Sequence, residues 1–169
     1  SSYTKFTLAA SYVMNSDLID SISPETYDPV PYYSQNFTQT KIAGNFFYKK
    51  KFNTKHNLQI GVRFDEFLVD IIDSIYRSTI DRYITLTEYD GNTFLLQPYA
   101  QYQYRVSDKM SLNAGLHYQY LGLNGSSSLE PRAGIKYQIN KKNALSFGYG
   151  LHSMMAPIAT YFKTVEAGV

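Results

Sequence analysis

Residues 94–120 read FLLQPYAQYQYRVSDKMSLNAGLHYQY, and that order decides the fold. In an extended chain Phe94, Leu96, Ala100, Tyr102, Tyr104 and Val106 fall on one side, opposite Gln97, Tyr99, Gln101, Gln103 and Arg105. After the turn Ser107-Asp108-Lys109 the pattern resumes. Met110, Leu112, Ala114, Leu116, Tyr118 and Tyr120 then stand opposite Ser111, Asn113, Gly115, His117 and Gln119. A period of two is that of a β-strand.

Working outward, five more segments repeat it. Phe6, Leu8, Ala10, Tyr12 and Met14 oppose Lys5, Thr7, Ala9 and Ser11; Ile42, Gly44, Phe46 and Tyr48 oppose Lys41, Ala43 and Asn45. Leu58, Ile60, Val62 and Phe64 oppose Asn57, Gln59, Gly61, Arg63 and Asp65. Further on, Leu129, Ala133, Ile135, Tyr137 and Ile139 oppose Glu130, Arg132, Lys136 and Gln138, and Leu145, Phe147, Tyr149 and Leu151 oppose Ser146, Gly148, Gly150 and His152. No Asp, Glu, Lys or Arg stands on the first-named side of any of the seven segments.

A soluble antiparallel sheet also alternates, but its wet face usually mixes Lys, Glu and Thr. Here that face is mostly Gln, Asn, Ser and Gly with occasional charges, the composition of a wetted barrel lumen, and the charge-free face suits lipid. The pattern predicts an all-β chain: the antiparallel wall of a transmembrane β-barrel in the bacterial outer membrane. Connection lengths agree, because such barrels have short periplasmic turns and longer outer loops. Short turns fall at residues 50–55, 107–109 and 140–143, while the intervening connections are residues 15–36, 69–91, 123–127 and the stretch from Met154. Segments one, three, five and seven therefore run outward.

Composition narrows the class further. Seventeen Tyr and ten Phe are enough for aromatic girdles at the membrane interfaces. No run approaches the about 20 apolar residues of a membrane helix, and the mean hydropathy of −0.32 is no obstacle when the apolar residues occupy alternate positions. A net charge of +2, with Lys49-Lys50-Lys51 as the sole basic run, gives no nucleic-acid footprint. Cysteine is absent, and no Gly-x-Ser-x-Gly elbow or phosphate-binding glycine loop occurs, so the sequence predicts neither an enzyme nor a cofactor. Ser1-Ser2-Tyr3 does not begin a secretory signal. Seven strands leave two open edges, which lipid does not tolerate, so the chain reads as part of a larger barrel; residues 165–169 read as the start of an eighth, inward strand.

Two groups of residues are site candidates. Counting from the connections brings His117 opposite or near Arg132, and His152 near Glu130 and Arg132, in one lumen-facing patch. That patch reads as a structural polar cluster, as a docking surface for a plug, or, without supporting ligand spacing, as a metal site. The second group is aromatic and charged and lies in the predicted outer loops: Tyr27, Tyr32, Tyr33, Tyr76, Arg77, Arg82, Tyr83 and Tyr89. Loops held by a rigid scaffold are where ligands tend to be recognised.

From Leu95-Leu96-Gln97-Pro98-Tyr99, through Leu112-Asn113-Ala114-Gly115-Leu116-His117-Tyr118 and Ser128-Leu129-Glu130-Pro131-Arg132-Ala133-Gly134, to Gly148-Tyr149-Gly150-Leu151-His152-Ser153, the chain resembles the TonB-dependent outer-membrane receptors. The Glu-Pro-Arg step is the most specific element. The resemblance implies a barrel of about 22 strands. It also implies a nutrient ligand at the outer loops, a plug inside, energy delivered by TonB and, in some members, a surface lipoprotein as lid. No plug, TonB box or terminal aromatic strand is recognisable, so residues 1–169 read as part of one barrel domain whose plug and other strands belong to a longer parent. A small outer-membrane barrel serving as anchor or adhesin, and a soluble β-sandwich that binds carbohydrate, are the alternatives.

Overall fold

The computed structural model of the protein describes residues 1–162. Seven strands follow in chain order: β1 (Ser2–Ile22), β2 (Pro29–Lys51), β3 (His56–Arg77), β4 (Arg82–Arg105), β5 (Met110–Leu121), β6 (Ser127–Gln138) and β7 (Ala144–Gly150). They form one antiparallel sheet in which each strand pairs with its sequence neighbours, in the order β1-β2-β3-β4-β5-β6-β7. A single 3₁₀ turn, Ile158–Phe162, follows. The described residues form one sheet, not the two packed layers of a sandwich, and none of their helices is long and apolar enough to cross a membrane, which says nothing against crossing by strands.

The short connections form where the sequence places them. Asn53 Oδ1 accepts the backbone N–H groups of Lys55 at 2.8 Å and His56 at 2.9 Å, so one side chain closes the β2–β3 turn. Asn140 Oδ1 does the same for Lys142 and Asn143, both at 2.9 Å, between β6 and β7. Asn favours such turns because its carbonyl reaches the backbone two residues on. At the β5–β6 connection Gly125 has φ of 69° and donates to the Leu121 carbonyl at 3.0 Å.

The long connections need correcting. Residues 15–36 and 69–91 are not loops: β1 to β4 run for 21, 23, 22 and 24 residues and meet in tight turns. Between β1 and β2 the Ser23 N–H donates to the Asp28 carbonyl at 3.0 Å and the Tyr27 N–H to the Ser23 carbonyl at 2.9 Å. Tyr27 (φ 60°) and Asp81 (φ 54°) take the left-handed conformation that reverses each hairpin. The reading went wrong because Asp20 on β1 and Glu66 and Asp70 on β3 break the charge-free face while the period of two continues beneath them. The expected eighth strand at 165–169 lies outside the described residues.

Two compact units make up the chain. The first comprises Ser1–Ala9, Ile42–Glu66 and Thr93–Met154. Its apolar face points outward: Phe6, Leu8, Phe46, Ile60, Phe64, Leu112, Leu116, Phe147 and Tyr149 are all exposed. Its buried residues, Asp65, Thr93, Leu95, Leu121 and Glu130, belong to the opposite face. The second unit comprises Ala10–Lys41, Phe67–Asn92 and the described residues from Met155. Phe67, Val69, Ile71 and Ile158 are buried within it, while Leu18, Ile22, Leu68, Ile72 and Ile84 are exposed.

Pro131 sits inside β6, where proline removes a ladder bond. Its carbonyl accepts the Leu151 N–H at 3.1 Å, just beyond the end of β7 at Gly150. The N–H and C=O of a strand residue point to the same neighbour, so the missing donor falls where β7 has stopped.

Candidate functional site

The polar patch is built by β5 and β6, whose register sets His117 opposite Glu130 and Gly115 opposite Arg132. This corrects the expected pairing of His117 with Arg132. The turn closes between Leu121 and Ser126, about one residue earlier than read from sequence, and in a hairpin that moves every partner by about two. Glu130, 4% exposed, is the hub. Its Oε2 meets His117 Nδ1 at 3.0 Å and lies 3.7 Å from Arg132 Nη2. Its Oε1 accepts Gln119 Nε2 at 2.6 Å, the Ser153 N–H at 2.9 Å and Ser153 Oγ at 2.5 Å. Gln97 Nε2 extends the network by donating to Gln119 Oε1 at 3.1 Å. A buried carboxylate is stable only when paired and hydrogen-bonded in this way.

Arg132 reaches its place across a glycine. A Cβ on Gly115 would stand 2.9 Å from Arg132 Cγ, so any larger residue there would push the arginine stem aside. His152 stands beside Gly150, the register partner of Arg132, with Nε2 3.5 Å from where a Cβ on that glycine would lie. It is exposed, and Ser153 occupies the contact with Glu130 that the sequence assigned to it. Gln119 was legible, two residues from His117 on the same face. Ser153 was not, because the alternation of β7 puts odd positions on the apolar side. Its hydroxyl turns in because the strand ends at Gly150. Among the described residues no three His, Cys, Asp or Glu side chains are grouped to hold a metal ion.

The second unit carries the other candidates. Tyr27, at the tip of the β1–β2 turn, is 81% exposed, and Tyr32 on β2 is exposed beside it in sequence. Tyr33 turns to Asp73, whose carboxylate accepts its hydroxyl hydrogen bond. Burial first, and this bond second, push the phenol above its ordinary pKa. Tyr76, near the end of β3, hydrogen-bonds Asp81, which pushes its phenol up too, and meets the Tyr83 ring edge-on at 5.3 Å. Arg77 and Arg82 end β3 and begin β4. Tyr89 stacks on Phe162 at 4.2 Å, and Lys41 Nζ sits 5.1 Å over the Phe67 ring. The structure thus gives Tyr33, Tyr76, Tyr83 and Tyr89 partners within the chain, and leaves Tyr27 and Tyr32 presented to solvent.

An exposed, charge-free apolar face backed by a hydrogen-bonded polar one is what a membrane barrel requires. Comparison with protein families matches residues 1–162 to the TonB dependent receptor-like beta-barrel. The chain belongs to this family. Comparisons with curated proteins and with solved structures give no match. Membership sets the general class, an outer-membrane barrel of the receptor and transporter kind, in a family that works with TonB and a plug domain. Within the TonB-dependent receptor barrel, the Glu130 network lies on the polar face and the exposed candidates Tyr27 and Tyr32 lie in the second unit.

Proposed function

We propose that this receptor takes up a nutrient ligand from outside the cell with energy supplied through TonB. The observation that carries the reading is the family match over all the described residues, on a sheet whose first unit turns an apolar face outward. Further strands close the sheet into a barrel around a plug. Among the described residues β1 and β7 each have one neighbour, and an open edge in lipid costs several kcal/mol for each unsatisfied backbone group.

In this reading Tyr27 and Tyr32 stack on the ligand, with Arg77, Arg82, Tyr76 and Tyr83 beside them, while Tyr33 and Tyr89 hold the scaffold. A surface lipoprotein is a fitting lid for turns this exposed. Glu130 fixes His117 and Arg132 on the lumen face, where those side chains and His152 meet the plug. The test is nutrient depletion: cells with and without the receptor, and with and without TonB, grow on a defined nutrient mixture while the medium is followed by mass spectrometry. A compound must remain in the medium when either protein is lost, and Tyr27→Ala with Tyr32→Ala must slow its disappearance. Identical depletion in all strains, with the barrel present in the membrane, overturns the proposal.

A further inference from the structure

In the first unit, a cleft of about 300 Å³ opens where β2 ends, β3 begins and β4 ends. Four cationic side chains line it, Lys49 and Lys51 from β2, Lys55 from the turn and Arg105 from β4, and no Asp or Glu does. Among the described residues none of the four forms an ion pair. Elsewhere on the polar face two arginines have carboxylate partners: Arg63 pairs with Asp65 at 3.2 Å, and Arg132 has Glu130.

The convergence is built in by the backbone. The Arg105 N–H donates to the Lys55 carbonyl at 2.7 Å, which fixes the β4 end against the turn, and Asn53 closes that turn from beneath. Lys49 and Lys51 stand two apart on one strand and so share a face. Four like charges around one cleft repel one another within a screening length of about 8 Å, and a bound anion relieves that repulsion. Asn57 also lines the cleft, and its buried side-chain oxygen has no hydrogen-bond partner. An acceptor among four cations calls for an anion that also carries a donor. Monohydrogen phosphate carries both, as does a phosphate monoester that keeps its second proton, and an arginine fork with lysine ammonium groups is the usual protein answer to a phosphoryl group.

We propose that this cleft is a binding site for a phosphoryl group, presented by a soluble phosphate compound or by a lipid headgroup. This goes beyond the uptake reading and does not depend on it. The test uses the intact receptor in nanodiscs of phosphatidylcholine, titrated calorimetrically with inorganic phosphate. Saturable binding is expected, weakened about tenfold by Arg105→Gln and likewise by Lys51→Gln, and unchanged by Lys142→Gln in the β6–β7 turn. Variants are compared only where their barrels keep the heat-dependent gel mobility of the folded protein, and two cleft variants guard against one failing to assemble. Absence of saturable binding at millimolar phosphate, or equal weakening by Lys142→Gln, overturns the site. Repeating the titration in nanodiscs that contain phosphatidic acid, a phosphomonoester lipid, separates the sources. Weakened phosphate binding there means that the headgroup occupies the cleft, and undiminished binding means a soluble phosphate compound.

Discussion

Two halves of one strand, β3, carry opposite chemistry on the same face. In the first unit its odd positions are Asn57, Gln59, Gly61, Arg63 and Asp65; in the second they are Phe67, Val69, Ile71 and Asp73, with the three apolar residues buried. The alternation never slips, so what changes between residues 65 and 67 is the chemistry of the odd face, from polar to apolar. A sheet in lipid faces its apolar side chains outward and keeps polar ones inside. A sheet in water does the reverse. Charge divides in the same way: the sequence of the first unit holds twelve Lys and Arg against four Asp and Glu, and that of the second four against ten. The even face of β3 receives its first carboxylate at Glu66, and that of β4 ends its acidic stretch at Asp90.

The sharpest way to break this comparison is one substitution at two equally exposed sites on the same face of the same strand. Ile60 in the first unit is 44% exposed and Ile72 in the second is 40% exposed. If the first unit faces lipid and the second water, Ile60→Arg costs about 2 to 4 kcal/mol and prevents assembly. Ile72→Arg then stays within about 0.5 kcal/mol. Leu112→Arg behaves as Ile60→Arg, and Gln101→Arg on the polar face is tolerated. Folding into lipid vesicles, followed by gel mobility and urea titration, reads all four. Equal penalties at Ile60 and Ile72 would put both units in one solvent and end the comparison.

Burial reverses the ranking. Ile71 is fully buried and its neighbour Ile72 is not, so Ile71→Ala removes packed atoms while Ile72→Ala trims surface. Deleting a buried Ile side chain costs 2 kcal/mol or more, and the lower end, about 2 kcal/mol, suits a thin packed layer that can close on the gap. Hydrogen exchange of β3 amides in the second unit should quicken for Ile71→Ala and hold for Ile72→Ala. Exchange in the first unit should not change.

The same division explains what the sequence made legible. Wherever lipid solvates one face, the apolar positions are all on that face, and residues 42–64, 94–120 and 129–149 announce both strand and orientation. Past residue 66 the strands continue, but Asp70, Glu88 and Asp90 enter the even face and Phe67, Val69 and Ile71 the odd one. A template that demands one uncharged face then reports a loop where there is none. The Glu130 patch was legible as a location, since period two puts His117, Glu130 and Arg132 on the polar face. Its wiring was not: partner identity follows the turn that closes at Leu121, and Ser153 enters only because β7 stops at Gly150.

The smallest effect separates two tyrosine–carboxylate pairs inside the second unit. Tyr33 meets the buried carboxylate of Asp73, whereas Tyr76 meets the exposed carboxylate of Asp81, and in both the acid helps to raise the phenol. A raised phenol binds its proton more tightly in the folded protein than in the unfolded chain. Its contribution to stability is therefore complete below the unfolded pKa near 10 and is lost as pH climbs above it. Tyr33→Phe should lower stability at neutral pH by about 1 kcal/mol, because Asp73 loses a hydrogen bond while its other buried oxygen already has no partner. It should also flatten the decline above pH 10, read as hydrogen exchange of β2 and β3 amides or as urea midpoints across pH 8 to 11. Tyr76→Phe should change stability at neutral pH little, because water solvates the freed Asp81 carboxylate as readily as the phenol did. A matching response from the two variants would mean that burial is not what distinguishes the pairs, and the packed interior assigned to the second unit would lose its support.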